Sequence, residues 1–164
     1  RPKYIEKRHQ PGHWETDTMV SRQSLVALAV LLERRSRIIL LKKIKQKTSK
    51  LFSKAIEAKL KPYSSSLRRT ITYDNGSENV DHMKTNKKLR TKSYFCNPYH
   101  SWEKGSVENA AGLVRRFLPK KTDFATVSPQ QIKQIEYLLN NRPRKCLDYK
   151  TPHEVFNSSV ALPR

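Results

Sequence analysis

The chain has 164 residues, with 34 Lys and Arg against 14 Asp and Glu, a formal net charge of +20. That length suits one domain that buries roughly two-thirds of its unfolded surface without staples. The two cysteines, Cys96 and Cys146, lie far apart with no Cys-x-x-Cys pair, which leaves a disulfide framework or a zinc ribbon unsupported and suits a reducing cytosol. A basic excess of this size calls for a polyanion, nucleic acid ahead of an anionic membrane. The longest apolar run, 25–32, is far short of the ~20 residues that span a bilayer.

Residues 1–12, RPKYIEKRHQPG, are basic and aperiodic and read as a linker or arm. HWETDTMV (13–20) alternates as a strand does. SLVALAVLLE (24–33) is nearly all apolar, the mark of a strand buried on both faces. RRSR (34–37) makes a basic hairpin turn into a third strand, RIILLKKI (37–44). A helix over 48–61 opens at Thr48 or Ser49 and stops before Pro62. Its apolar stripe of Leu51, Phe52, Ala55, Ile56 and Leu60 is what a sheet-covering helix needs, and it weakens a membrane-surface reading.

RRTITYD (68–74) is a fourth strand, 80–92 a weakly helical Lys-rich stretch, and TKSYFC (91–96) a fifth strand. After a loop at 97–105, SVENAAGLVRRFL (106–118) is helical up to Pro119. Its predicted buried stripe is Val107, Ala111, Val114 and Leu118, flanked by Glu108, Gly112 and Arg115. The last predicted helix, 128–141, carries Ser128 as cap, Pro129 at its first position and Gln131 completing a capping box. The order implies an α/β fold: a mixed sheet with three antiparallel strands first, covered by helices.

Three acids stand at special places. Asp17 lies in the first strand. Asp74 ends the fourth, where Asp-Asn-Gly is also good turn chemistry. If those strands lie side by side the carboxylates approach, and a divalent cation relieves their repulsion; hard oxygen ligands select magnesium or manganese. Glu108 falls in a helix's first turn, where the dipole favours a carboxylate. Each has a bland alternative as a turn, strand-end or helix-start acid, and Glu15, Glu78, Asp81 and Glu103 compete for the same roles.

HWETD, TYDNGSE, NPYHSWEKGSVENAAGLVRRFLPKKTDF and LNNRPRKCLDYKTPHEVF, in that order, resemble the catalytic domain of transposases of the IS-thirty insertion-sequence family. The resemblance runs over residues 12–156, and the 33 residues between Asp74 and Glu108 match that family's spacing. It implies a five-stranded RNase-H-like fold, as in retroviral integrases, with a core over 13–157 and a tail at 158–164. Asp17, Asp74 and Glu108 then match the three catalytic acids. Trp14 and Glu15 match the Trp-Glu before the first acid; Asn75, Gly76 and Glu78 match the Asp-Asn-Gly-x-Glu motif. Pro98, Tyr99, Trp102 and Gly105 match the run before the third acid. Asn109, Gly112 and Arg115 match its helix, and Arg142, Pro143, Arg144 and Lys145 the closing segment. Val107 and Ala111 depart from the family, which often has Asn at each. Members resemble two-part proteins with a helix-turn-helix ahead of the catalytic domain, so the first residues here read as the linker between them.

The resemblance further implies DNA cleavage and strand transfer with two magnesium ions, manganese substituting, on double-stranded DNA by a homodimer in the bacterial cytosol. Asp17 would bridge both ions. Lys104, Arg115, Arg116, Lys120, Lys121, Arg34, Arg35 and Arg37 are candidate phosphate contacts; Tyr99 and Trp102 could stack on a base, and His13, His82 and His100 could carry protons. Trp14, Asn75, Gly76, Asn109 and Gly112 are supporting residues. A non-catalytic basic binding module and an RNase-H-like nuclease remain alternatives.

Overall fold

Every residue of the strand Ala27–Glu33 is buried, and that strand organises the molecule. In a strand successive side chains point to opposite faces, so Ala27, Ala29 and Leu31 enter one core while Leu28, Val30 and Leu32 enter another. The computed structural model describes residues 2–97 and 104–161. Its strands are β1 (His13–Val20), β2 (Ala27–Glu33), β3 (Ile39–Ile44), β4 (Thr70–Tyr73) and β5 (Lys92–Phe95); its helices are α1 (Lys3–Glu6), α2 (Ser49–Leu60), α3 (His82–Leu89), α4 (Gly105–Val114), α5 (Pro129–Asn140) and α6 (Pro152–Ala161).

The sheet order is β3-β2-β1-β4-β5. β1, β2 and β3 form the antiparallel set, whereas β4 runs parallel to both β1 and β5. The mixed five-stranded sheet expected from the sequence is therefore present. On one face Trp14, Ile71 and Tyr73 pack with Phe52, Ile56 and Leu60 of α2 and Phe156 of α6. On the other, Met19, Leu28 and Leu41 pack with Val107, Ala110 and Val114 of α4 and Ile132, Ile135 and Leu139 of α5. Trp14 is fully buried, stacks on Tyr63 and donates its indole N–H to the Leu67 carbonyl at 2.8 Å. It is a core anchor, and truncating it to Ala would cost about 3–5 kcal/mol.

Local signals explain the helix ends. The Thr48 side chain accepts from the Leu51 N–H, and Ser128 and Gln131 complete their capping box. Three expectations need correction. The buried stripe of α4 is Val107, Ala110 and Val114, with Ala111 only half-buried, and the helix ends at Val114 with Leu118 buried beyond it. The segment 1–12, aperiodic in sequence, holds the short helix α1, which sinks Ile5 into the protein, and the Arg34 guanidinium donates to the Ile5 carbonyl at 3.1 Å. An additional helix, α6, runs across the tail boundary set at residue 157.

Candidate active site

Two registers bring the first two acids together. Glu15 on β1 pairs with Thr72 on parallel β4. Asp17 and Asp74 each lie two residues further along, so both project at the same level near the carboxyl end of β4. Between them stands the side chain of Lys104. Its Nζ is 2.9 Å from Asp74 Oδ2 and 3.5 Å from Asp17 Oδ1. Lys104 is only 6% exposed, so its ammonium is held by these carboxylates rather than by water. The candidate phosphate contact Lys104 is thus engaged by the two aspartates.

Asp74 serves two purposes with its two oxygens. Oδ1 accepts from the Gly76 N–H at 3.0 Å and from Asn79 Nδ2 at 2.7 Å, closing an Asx turn. Oδ2 faces Lys104. The turn reading and the ligand reading of this residue are thus compatible. Burial pushes the Asp74 carboxyl up, but the charge and hydrogen bond of Lys104, helped by Gly76 and Asn79, outweigh it and hold it below its ordinary value. Lys104 shows the mirror effect: burial lowers it, and Asp17 and Asp74 raise it further than burial lowers it. Asn75 donates to the Cys96 carbonyl at 3.1 Å and ties the turn to the end of β5. A Cβ at Gly76 would meet the carboxylates of Glu78 and Asp74, which would have to shift to admit it. Glu78 is itself buried and paired with Lys47 at 2.9 Å.

Glu15 is the residue whose purpose the sequence did not reveal. Side chains two apart on a strand share a face, so Glu15 and Asp17 both look toward α4. Glu15 is 1% exposed; its Oε2 accepts the Val107 N–H of α4 at 3.0 Å, and its Oε1 lies 2.9 Å from Arg34 Nε. The cap residue of α4, Lys104, makes no side-chain capping bond. An acid from β1 therefore satisfies one of the orphan N–H groups of the first turn and docks the helix on the sheet.

That helix carries Glu108, which is exposed on the turn following Lys104. Residues four apart share a helix face, so Lys104 reaching both aspartates puts Glu108 on the same side of α4. Among the described residues no three His, Cys, Asp or Glu side chains gather into a metal cluster. The structure brings Asp17 and Asp74 together and leaves Glu108 outside the pair. Two convergent carboxylates holding one cation fit a hard divalent ion as two ligands of its shell.

The other expected contacts divide. Arg34 is 1% exposed and sits in ion pairs with Glu15 and Glu6, each at 2.9 Å, so its guanidinium is already engaged within the protein. Arg115 donates to the carbonyls of Val20, Leu118 and Pro119 and lies over the Phe124 ring, closing the end of α4; this, too, is packing. Arg35 is half-buried and reaches Ser159 Oγ at 3.3 Å. Arg116, Lys120, Lys121 and Asn109 are exposed, and a Cβ on exposed Gly112 would meet open space. His82 holds the Asn79 carbonyl at 2.9 Å. Pro98, Tyr99, His100, Trp102 and Glu103 lie outside the described residues.

The mixed five-stranded sheet with helices on both faces has the RNase-H-like fold of the solved integrase cores it superposes on. Residues 7–101 match the family described as integrase core domain, more than half of the chain. A transposase of insertion sequence element IS4351 from Bacteroides fragilis is 39% identical over 160 residues, 98% of this chain and 49% of that protein. The transposase of IS1086 from Cupriavidus metallidurans is 37% identical over 99% of this chain and 48% of its own length; that of IS30A from Escherichia coli is 36% identical over 99% and 42%. The chain spans about half the length of these curated relatives. Among solved structures, a chain of the simian T-cell lymphotropic virus intasome superposes with a TM-score of 0.76 at 19% identity, covering 94% of this chain and 57% of that one. The catalytic core domain of BIV integrase gives 0.71 at 19% identity, over 91% and 95%. The chain belongs to the integrase core domain family.

Proposed function

We propose that this chain is the catalytic domain of a transposase and cuts and rejoins double-stranded DNA as a metal-dependent polynucleotidyl transferase. The observation that carries the reading is the convergence of Asp17 and Asp74 on one cation-sized point from adjacent strands. The identity to insertion-sequence transposases over nearly the whole chain supports it.

In this reading Asp17, Asp74 and Glu108 are the catalytic acids and hold magnesium, or manganese in its place, as two ions. Such ions, when bound, activate a water or 3′-hydroxyl and neutralise the phosphate under attack. The protein's own work is positional. The Asx turn fixes Asp74 with one oxygen and leaves the other for the site. Glu15 fixes the first turn of α4 and with it the approach of Glu108. Lys104 balances the charge of the two aspartates, and a divalent ion bound at this point would be held by Asp17 and Asp74 in competition with its ammonium. The exposed Arg116 and Lys120 continue a basic surface toward the DNA, where each phosphate contact steepens the salt dependence of binding. Protomers act as a pair on two DNA ends in the bacterial cytosol.

The test is cleavage and strand transfer on duplexes that carry the ends of an insertion element, in magnesium, with Asp17→Asn, Asp74→Asn and Glu108→Gln beside the parent. Loss of both reactions in each variant, with duplex binding kept, is expected. Undiminished cleavage in any of them would remove that acid from the site. Cleavage confined to an RNA–DNA hybrid would make the protein a nuclease of the RNase H kind.

A further inference from the structure

One concavity of the molecule lies away from the aspartates. A cavity of about 770 Å³ opens on another side of α4, lined by Ser106, Asn109 and Leu113 of that helix. Val107, Ala110 and Val114 form the buried stripe of the helix. Residues 106, 109 and 113 flank that stripe on one side, and Lys104, Glu108 and Gly112 flank it on the other.

The cavity wall is cationic. Arg8 and Arg37 both donate to one hydroxyl oxygen, Ser106 Oγ, at 3.0 and 2.9 Å. Arg34, Arg144 and Lys145 complete a set of five basic side chains. Glu6 is the one carboxylate among the described lining residues, and Arg34 already holds it at 2.9 Å. Leu32 and Ile39 form an apolar floor. Arg144 and Lys145 belong to the Asn-x-Arg-Pro-Arg-Lys segment, for which the catalytic acids supply no purpose. Guanidinium groups in a partly enclosed space repel one another, and a planar, forked cation pairs best with an oxyanion. Burial, followed by the charges of Arg37 and Arg34, pulls the Arg8 guanidinium below its ordinary value, as that crowding requires.

We infer that this cavity is a phosphate pocket that grips the DNA backbone across α4 from Glu108. Arg8 and Arg37 clamp the phosphate against the Ser106 hydroxyl, and Lys145 closes the exposed rim. A helix is ~10 Å across with its side chains, and DNA rises ~3.4 Å per nucleotide along a strand. The gripped phosphate then lies about three nucleotide steps from the one under attack. The inference rests on the DNA-joining reading of the acids, and its test separates the two.

Two measurements on the whole chain decide it, with Arg37→Gln and Lys145→Gln as variants and Lys133→Gln, an exposed lysine of α5 outside the cavity, as control. Circular dichroism first establishes that each is folded; Lys145 is exposed, so its variant tests the pocket even where Arg37→Gln unfolds. In calorimetric titration with inorganic phosphate at fixed ionic strength, one site is expected, weakened about tenfold by each pocket variant and unchanged by the control. In anisotropy titrations of a labelled duplex without divalent metal, each pocket variant should lower the salt slope by ~0.9 for every phosphate it no longer neutralises, and Lys133→Gln should not. Phosphate binding that is absent, or equal in all proteins, overturns the pocket. Phosphate binding abolished in the variants with an unchanged salt slope overturns the DNA backbone as its source and leaves a free-anion site. A salt slope that responds while Asp17→Asn still cleaves upholds the pocket and sinks the catalytic reading.

Discussion

Lys104 and Asp74 form an ion pair 2.9 Å long, the shorter of the two contacts by which one buried ammonium spans both aspartates. The lysine carries into the protein the single positive charge that two adjacent carboxylates need. A divalent ion carries twice that charge to the same place, so ion and lysine compete for it. Removing the ammonium by Lys104→Met should therefore tighten manganese binding by about tenfold or more, a gain of ~1.4 kcal/mol, as read by calorimetric titration. Weaker manganese binding in the variant would mean that Lys104 helps to build the metal site and does not stand in for the ion.

Glu15 joins the strand of Asp17 to the helix of Glu108, and its carboxylate is enclosed between Arg34 and the Val107 N–H. Glu15→Gln keeps an acceptor for the N–H but strips the charge facing Arg34. Breaking a buried pair in this way should cost about 3 kcal/mol in denaturant unfolding. Glu6 pairs with the same guanidinium from a side chain 47% exposed, so Glu6→Gln should cost less than ~1 kcal/mol. Equal losses for the two variants would contradict the placement of the helix dock at Glu15.

His13 is 2% exposed and its Nδ1 meets Thr70 Oγ1 at 2.8 Å, while Nε2 has no hydrogen-bond partner among the described residues. Burial, with the charges of Arg69 and Arg34 behind it, lowers its pKa to about 4. The unfolded chain takes up this proton near 6.5. Between those values the unfolded state binds more protons, so this contribution to stability is whole above pH 6.5 and is lost as the pH falls toward 4, by no more than about 3 kcal/mol. Denaturant midpoints across that window should show the decline in the parent and a flatter profile in His13→Gln. Parallel profiles would place the proton elsewhere.

Sequence and structure agree where the signal is local and part where it is not. The all-apolar β2, the box at Ser128 and the Asp74 turn each rest on neighbouring residues, and each is present. The adjacency of β1 and β4, conditional in the sequence, is present in the sheet. Lys104 reads as a surface base in the sequence because a lysine is almost never fully buried unless paired, and its partners lie 30 and 87 residues away in the chain. Arg34 misleads for the same reason: its acids come from α1 and β1. The one-residue shift of the α4 stripe to Ala110 follows from docking on Glu15, which periodicity does not see. The helix α6, absent from the sequence expectation, does have a local signal. Thr151 and Glu154 exchange hydrogen bonds, with Thr151 N–H donating at 2.6 Å and Glu154 N–H at 3.2 Å, so a capping box with Pro152 opens α6 and leads to Phe156 in the core.

The most direct test of the metal site is anomalous scattering from crystals soaked in manganese, with Asp74→Asn as control. Competition between ion and lysine predicts a manganese peak bonded to Asp17 and Asp74, Lys104 displaced from between them, and no peak in the variant. Crystals at saturating manganese that keep Lys104 Nζ on both carboxylates, with no peak beside them, would contradict it.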